Sequence, residues 1–384
     1  MRVLTVIGTR PEVIKMAPVL NALRTHAPQV VSQVCSSGQH KEMLDDMLAA
    51  FDIRPAFSLG DLSDNASLSQ LAARVLEGLD PILAHSRPDW LVVQGDTATV
   101  MAASLAAGNR KVKVAHVEAG LRSHDRANPF PEELYRVVAD HASQLHFAPT
   151  QRAKENLLRE GITGSGIFVT GNTVVDALAE ALKRPAPDWP LPDLAGRRLI
   201  LVTAHRRENH GRPLAQICAA LAELVRRPDV HIAYCVHHNP EVWGPVQAAL
   251  GGIAHLSLLA PQPYATMVQL MRASALILTD SGGIQEEAPF LGVPVLVLRE
   301  VTERPEAVEA GAARLVGANR PAIVAAAARL LDDPAAYRAM ARAVSPYGDG
   351  RAGTRIAAIL ANDGRLPAGV AEYAPAPTDA KVGV

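Results

Sequence analysis

The run Thr279-Asp280-Ser281-Gly282-Gly283-Ile284-Gln285-Glu286-Glu287 sets a hydroxyl and two glycines between an apolar stretch, residues 275–278, and a segment, 284–291, that can form a helix. A strand, a tight turn and a helix start make an anion site, because free backbone N–H groups and the positive end of the helix dipole face one point. Two glycines let a phosphate approach the backbone with no Cβ in the way. Glu287 falls one turn into the helix, where a carboxylate can take the two hydroxyls of a ribose. The set suggests a nucleoside diphosphate, and with it a sugar-nucleotide chemistry. A Gly-Gly pair between strand and helix is also an ordinary way to turn a chain, so the motif needs company.

Company is present. Gly8-Thr9-Arg10-Pro11-Glu12 follows the first apolar run; Pro11 suits a first helical position and Glu12 a first turn, which leaves Arg10 at a strand end as a diphosphate clamp or a solvated loop arginine. Gln94-Gly95-Asp96-Thr97 follows the third run, and Asp96 reads either as the N-cap of a helix over 97–107 or as a carboxylate aimed at a ligand. His116-Val117-Glu118-Ala119-Gly120-Leu121-Arg122 puts an acid at the end of a buried strand, where it needs a partner or a task. Pro129-Phe130-Pro131-Glu132-Glu133 opens a helix, and Glu132 alone is ambiguous because acids favour a first turn anyway. Ala204-His205-Arg206-Arg207 offers a phosphate or proton-transfer station. His237 and His238 are adjacent, but neighbouring side chains at a strand end diverge and no Cys or Asp spacing completes a metal shell, so no metal is expected. Glu303-Arg304-Pro305-Glu306 repeats the pattern of Arg10, an arginine just before a proline-started helix.

Short apolar runs alternate with amphipathic segments throughout. Strands are expected near 3–7, 30–35, 90–94, 112–117, 145–148 and 167–169, and again near 199–203, 231–236, 255–259, 275–279, 293–298 and 313–316. Continuous apolar strands alternating with helices mean parallel sheets covered on both faces. The α/β reading is therefore two doubly wound, Rossmann-like domains with a central cleft, each motif lying beyond the carboxyl end of a strand, where such sheets bind ligands. The expected divisions are 1–183 for the domain carrying the acids, a linker at 184–197 with four prolines between positions 184 and 193, 198–363 for the nucleotide-binding domain, and a disordered tail at 364–384 rich in Pro, Ala and Gly. The helical pattern at 351–361 is placed to pack across the domains.

Composition narrows the classes. The chain has 384 residues, 48% hydrophobic, with a formal net charge of −1, so no global charge excess argues for nucleic acid or a membrane surface. Aromatics make up only 4%, which disfavours a base-stacking single-strand binder. Cys35, Cys218 and Cys235 are far apart in apolar segments and read as buried free thiols suited to a reducing cytosol. The sequence opens into a strand without a signal-peptide pattern, and no apolar run is long enough to span a bilayer, so a cytoplasmic location is expected.

The ordered set GTRPE, SGQH, QGDT, HVEAGLR, PFPEE, GNTVVDAL, HRREN, VHHNP, DSGGIQEE and ERPE resembles the non-hydrolysing UDP-N-acetylglucosamine 2-epimerases, over residues 1 to about 360. The resemblance implies a fold like that of two-domain glycosyltransferases, with UDP in the cleft and no redox cofactor. It implies catalytic roles for Asp96, Glu118, Glu132 and His205. It implies that Arg10, His237, Ser281, Gly282, Gly283, Glu287 and Arg304 hold the UDP part. A second UDP-N-acetylglucosamine acting as activator would lie near Gln39, His40, Arg74 and Arg206, and a homodimer is expected. One departure stands out: the family has Asn where this chain has Tyr135, three residues after Glu132.

The implied chemistry explains why these residue types are needed. C2–H of an N-acetylhexosamine is not next to a carbonyl. If the C1–O bond to UDP breaks, C1 becomes oxocarbenium-like and C2–H becomes acidic. Elimination gives UDP and 2-acetamidoglucal, and readdition with a proton delivered to the other face inverts C2. Such a scheme asks for a stabilised diphosphate leaving group, proton-transfer groups on both faces and an enclosed intermediate. Asp96 and Glu118 are the first choice for the proton-transfer pair; Glu132 either binds sugar hydroxyls or helps carry the proton. Alternatives are an epimerase of a related UDP-diacetamido sugar, a retaining UDP-sugar glycosyltransferase, a hydrolysing relative, or a non-catalytic UDP-sugar sensor.

Overall fold

The computed structural model describes residues 1–38, 41–60, 66–184, 188–342 and 345–375, and of 41–43 the backbone alone. Gln39 and His40 therefore lie outside the described residues. The chain divides into two units, 1–177 with 347–375, and 178–346, the division falling within one helix.

The first unit alternates strands and helices from its start: β1 (Arg2–Ile7), α1 (Arg10–His26), β2 (Val31–Ser36), α2 (Lys41–Ala50), β3 (Phe57–Ser58), α3 (Leu68–Ser86), β4 (Trp90–Gln94), α4 (Ala98–Asn109), β5 (Lys113–Val117), α5 (Glu132–Ala142), β6 (Leu145–Ala148), α6 (Gln151–Arg159), β7 (Ile167–Val169) and α7 (Thr173–Lys183). Its seven strands are all parallel, in the order β3-β2-β1-β4-β5-β6-β7. All five residues of β4 are buried, as both faces of a parallel sheet are covered by helices. One layer of that cover is a cluster of Leu4, Val6, Leu91 and Val93 from the strands against Val75, Leu79 and Leu83 of α3 and Val100 and Ala103 of α4. The order reverses between β1 and β4, which opens a crevice at their carboxyl ends.

The second unit continues with β8 (Arg198–Thr203), α8 (Arg212–Leu224), β9 (Val230–Cys235), α9 (Pro240–Leu250), β10 (Leu256–Leu259), α10 (Tyr264–Ala273), β11 (Ser274–Thr279), α11 (Gly282–Phe290), β12 (Val295–Val297), α12 (Pro305–Glu309), β13 (Ala313–Leu315), α13 (Arg320–Asp332) and α14 (Pro334–Met340). Its six parallel strands run β10-β9-β8-β11-β12-β13, with the reversal between β8 and β11. Ile200, Val202, Ile232, Tyr234, Leu276 and Leu278 form its core with Ile217 and Leu221 of α8. Both units are thus Rossmann-like and doubly wound.

The expected divisions need correcting. A final helix, α15 (Ala352–Ala361), belongs to the first unit and packs on α1, with Gly353 against Pro18. Residues 347–363 therefore do not continue the second unit, as 198–363 had implied. Nor are residues 364–375 a loose tail: Tyr373 is 6% exposed and its N–H donates to the Val169 carbonyl at 2.7 Å. A composition rich in Pro, Ala and Gly marked this stretch as disordered, but backbone contacts to Val169 of the edge strand β7 and an ion pair from Glu372 to Lys154 of α6 hold it. In the expected linker, 185–187 are outside the described residues.

Candidate active site

At the carboxyl end of β1 the chain turns at Gly8, where a Cβ would lie 2.5 Å from Thr99 Oγ1 and 2.7 Å from Ser37 Oγ. Close packing demands that glycine. Glu12 reaches back from the first turn of α1. Its Oε2 accepts from the Gly8 and Thr9 amides at 2.5 and 3.3 Å, and its Oε1 accepts the Thr97 hydroxyl at 2.8 Å. Burial pushes the Glu12 carboxyl up to about 7, against the pull of these donors. This brace ties the β1 turn to the β4 turn and leaves Arg10 half-buried, with no hydrogen bond or ion pair among the described residues.

At the end of β4 the N-cap of α4 is Thr97, whose hydroxyl accepts from the Val100 amide at 3.3 Å, so Asp96 is not the cap. Asp96 is ion-paired instead with the buried Arg136 of α5. Arg136 also lies 3.3 Å from Glu133, while its Nε is buried with no hydrogen-bond partner among the described residues. The two neighbouring acids at the start of α5 divide their work. Glu133 accepts from the Ser123 and His124 amides at 3.0 and 2.9 Å and shapes the loop before the helix. Glu132 is half-buried, and its Oε2 is enclosed without a hydrogen bond. Tyr135 sits in the core cluster, and burial and then the Glu132 charge push its phenol up.

Glu118 follows β5 with φ +67°, a left-handed conformation that costs a side-chain-bearing residue energy and persists only when its surroundings enforce it. Its Oε2 accepts from Lys15 Nζ of α1 and from Asn172 Nδ2 at 3.0 Å. Beneath it His116 is fully buried. Nδ1 lies 2.6 Å from Asp140 and Nε2 donates to the Gly95 carbonyl at 2.7 Å. Burial alone would lower this imidazole, but the Asp140 charge, its hydrogen bond and the carbonyl outweigh it and hold His116 above its ordinary value. Asp140 is held well below the carboxylate range, against burial, by His116 and by Arg122, whose Nη2 is 2.8 Å away. His116 thus pins Gly95, beside Asp96, and Asp140 pins Gly120 through its amide at 3.2 Å, two residues after Glu118.

In the second unit Asp280 plays the corresponding part after β11. Its Oδ2 accepts from the His205 and Arg206 amides and from Asn209 Nδ2, at 2.8, 2.8 and 2.9 Å. The His205 ring lies 3.5 Å from Asp280 Oδ1 and stacks on His237, with centroids 5.5 Å apart. Burial lowers the His205 imidazole against Asp280, and Arg206 and His237 push the same way, so the ring is neutral near pH 7. His237 Nδ1 accepts from the Asn239 amide at 3.1 Å, which leaves Nε2 as the nitrogen open to a ligand; His238 is exposed.

The helix α11 begins at Gly282, two residues before the expected start, so both glycines lie in its first turn and offer their amides. Ser281 is the N-cap, but its hydroxyl makes no capping bond. A Cβ on Gly282 would lie 2.6 Å from the Arg304 guanidinium. Arg304 is 7% exposed and is held there by Glu286 at 2.7 Å and Glu303 at 2.9 Å. Arg304 and Arg299 keep Glu303 well below its ordinary range despite burial. Glu287 is buried and accepts the Tyr264 hydroxyl at 2.8 Å.

The expected residues divide between the two units. In the first unit Arg10, Asp96 and Glu118 follow strands β1, β4 and β5 and Glu132 opens α5; in the second His205, Arg206, His237 and Ser281 follow strands β8, β9 and β11, Gly282, Gly283 and Glu287 lie in α11 and Arg304 caps α12. Arg74 stands apart, exposed on α3. Among the described residues no cluster of His, Cys, Asp or Glu could hold a metal ion. No described helix is long and apolar enough to cross a membrane. The three cysteines are buried and free. Lys15, Asn172, Arg136, Asp140 and Asp280 carry roles that no motif in the sequence assigned to them. The signal available was weak: Lys15 lies one helical turn after Glu12, and Asn172 lies in the quoted run GNTVVDAL without an assigned role.

Residues 21–361 match the model of the UDP-N-acetylglucosamine 2-epimerase family. The chain belongs to that family. A UDP-N-acetylglucosamine 2-epimerase of Escherichia coli K12 is 48% identical over 374 residues, covering 94% of this chain and 99% of the relative. The crystal structure of the UDP-GlcNAc 2-epimerase of Neisseria meningitidis, bound to UDP-GlcNAc, is similar with a TM-score of 0.90 and 43% identity, over 94% of this chain and all of that one. A glycotransferase of kitacinnamycin, 15% identical with a TM-score of 0.60 over 95% of this chain and 99% of its own, shows the shared two-domain glycosyltransferase-like fold alone. The family makes this chain an isomerase, and the two-domain α/β expectation stands.

Proposed function

We propose that this chain interconverts UDP-N-acetylglucosamine and UDP-N-acetylmannosamine by eliminating and re-adding UDP. The observation that carries the reading is the arrangement of the acids: Asp96 and Glu118 end adjacent strands, each ion-paired to a largely buried cation, Arg136 and Lys15. Carboxylates so held have fixed positions, and geometry is the first requirement for a proton-transfer group. The Neisseria relative, whose structure holds UDP-GlcNAc, supports the substrate.

In this reading the second unit receives the nucleotide. The Gly282 and Gly283 amides and the Ser281 hydroxyl take phosphate oxygens, Arg304 supplies charge beside them, and Glu287 takes the ribose hydroxyls. Neutral His205 donates a hydrogen bond to the departing phosphate oxygen, and Arg10 and His237 complete the phosphate contacts. One carboxylate of the first unit removes the C2 proton; the C1–O bond breaks with its electrons on the β-phosphate, and a C1=C2 double bond forms. The phosphate oxygen then returns to C1 while another acid delivers a proton to the opposite face of C2. No electrons leave the system and no water is consumed. Glu132, with its enclosed oxygen, binds a sugar hydroxyl or relays the proton.

Proton NMR of UDP-GlcNAc with the protein in D2O tests this. The expected outcome is deuterium at C2 together with a manno product that still carries UDP. Free N-acetylmannosamine and UDP, or an unexchanged C2 hydrogen, would overturn it. From the family resemblance we further propose a cytoplasmic homodimer and a second, activating UDP-GlcNAc near Gln39, His40, Arg74 and Arg206. Among the described residues Arg206 Nε is buried without a hydrogen-bond partner, which supports an unspent donor there. Sedimentation and a sigmoidal rate curve lost in Arg206→Ala test those points.

A further inference from the structure

The contacts around Glu118 reach well beyond the strand-end motifs. Asn172 is 2% exposed, between β7 and α7. Its Oδ1 accepts from the Val174 amide at 3.1 Å, its own N–H donates to the Tyr347 carbonyl at 2.5 Å, and its Nδ2 donates to Glu118 Oε2 at 3.0 Å. Lys15 donates to that same oxygen. Two donors on Oε2 fix the plane of the carboxylate. Glu118 Oε1 accepts no hydrogen bond among the described residues.

The turn that carries Asn172 is itself held from outside. Val169, the last residue of β7, donates its N–H to Glu372 Oε2 at 2.9 Å and accepts the Tyr373 N–H at 2.7 Å. Glu372 is fixed by Lys154 at 3.1 Å. Arg355 of α15 donates to the Ala371 carbonyl at 3.0 Å and to the Thr170 carbonyl at 3.1 Å, and its guanidinium lies 5.8 Å from the Tyr373 ring centre. Gly171 is closed in by Gly348, Tyr347 and Tyr373, which a Cβ there would meet at 3.2, 3.4 and 3.6 Å. A short stretch of composition that reads as disordered is thus packed beside the turn that presents Asn172.

We propose that Asn172 is a positioning residue that aims Glu118 Oε1 at the substrate, and that residues 371–373 hold Asn172 in place. The inference rests on the reading above, in which Glu118 transfers a proton at C2. Misplacing a reacting group by a fraction of an ångström slows the chemical step without weakening substrate binding in proportion.

The test uses the full chain and two sets of variants. Asn172→Ser keeps a hydroxyl for the Val174 amide but falls short of Glu118. Glu372→Ala with Tyr373→Ala loosens the turn from outside. The expected result for Asn172→Ser is a fall in kcat of about 10- to 100-fold with KM within about threefold. The isotope effect with substrate deuterated at C2 should rise, because proton transfer becomes more rate-limiting. The paired 372/373 variant should lower kcat by about 3- to 10-fold, and its effect should vanish in the Asn172→Ser background, since both act through one contact. Unchanged kcat and isotope effect in Asn172→Ser, or full additivity of the two sets, would overturn the proposal. Glu118→Gln separates this from the underlying reading. If Glu118→Gln still exchanges the C2 hydrogen at the unsubstituted rate, the role of Glu118 itself fails. If Glu118→Gln is inactive while Asn172→Ser is unaltered, only the positioning role fails.

Discussion

The first unit does its work with side chains: Asp96 against Arg136, Glu118 between Lys15 and Asn172, Glu12 braced by two amides and Thr97. The second adds main-chain donors, the amides of Gly282 and Gly283 in the first turn of α11, while Asp280 holds the backbone after β8 in place. The contrast follows from what each is proposed to do. A diphosphate needs directed donors that stay the same throughout a turnover, and fixed amides supply them at no cost in side-chain ordering. A proton that leaves and returns needs groups that change state, and each such group needs a partner to hold it while it does. The comparison predicts that damage to the acids of the first unit costs turnover while damage to the α11 turn of the second costs nucleotide affinity.

The largest separation is expected from Glu118→Gln. Loss of a general acid–base group lowers kcat by about 10²- to 10⁴-fold. UDP affinity, measured by calorimetry, should stay within about twofold, because no donor in the second unit has been touched. A comparable loss of UDP affinity in this variant would break the comparison.

Gly282→Ala should do the converse. The new Cβ would stand 2.6 Å from a guanidinium that Glu286 and Glu303 hold in place, so Arg304 cannot simply swing aside. Loss of one charge-assisted contact weakens UDP binding by about 10- to 100-fold, from about 1.5–3 kcal/mol. Hydrogen exchange at C2 under saturating substrate should fall far less than in Glu118→Gln.

These two residues also show how unevenly the sequence discloses its site. Glycines between strand and helix are visible because their backbone geometry is their function, and the anion site could be read from a few neighbouring letters. The strands were legible for a related reason: a β-strand buried on both faces is a continuous apolar run, as in Trp90–Gln94. The partners of the acids were not legible. Lys15 and Asn172 are 103 and 54 residues from Glu118, and only the folded sheet brings them together. Asp96 looked like a helix cap because Asp is a good one; Thr97 took that place and freed it. The packing of 371–373 was missed because composition averages over a segment, whereas Tyr373 and Glu372 hold it by individual contacts to Val169 and Lys154.

Burial in the first unit also predicts a pH signature. Glu12 carries an ordinary value of 4.5 when unfolded and about 7 when folded. The folded state then binds the proton more tightly, so this group's contribution to stability is fully present below pH 4.5 and is lost as pH rises through about 7. The difference corresponds to about 3 kcal/mol at most. Asp176, buried behind α15 and also pushed up to about 7, acts in the same direction, so the comparison must be with a variant. Glu12→Gln mimics the protonated acid and should gain on the unsubstituted protein by about 1–3 kcal/mol between pH 5 and pH 8 in urea titrations. A gap that does not move with pH would show that the amides of Gly8 and Thr9 keep Glu12 ionised.

The smallest effect probes the one side chain of the second unit that is expected to read the nucleoside. Glu287 is buried, and the Tyr264 hydroxyl occupies its Oε1 at 2.8 Å, which orients the carboxylate. Burial and then the Glu287 charge raise the Tyr264 phenol well above its ordinary value, so it stays a donor throughout the working pH range. Tyr264→Phe removes that donor and lets the carboxylate rotate. A hydrogen bond to a charged group is worth about 1.5–3 kcal/mol, but water can replace part of it here, so a loss of about 3- to 10-fold in UDP affinity is expected. The informative quantity is the preference for UDP over 2′-deoxy-UDP. If Glu287 grips the ribose diol, the preference should shrink in Tyr264→Phe along with the affinity. A loss shared equally by both nucleotides would place Glu287 among the groups that shape the turn, and would leave the second unit reading only phosphate.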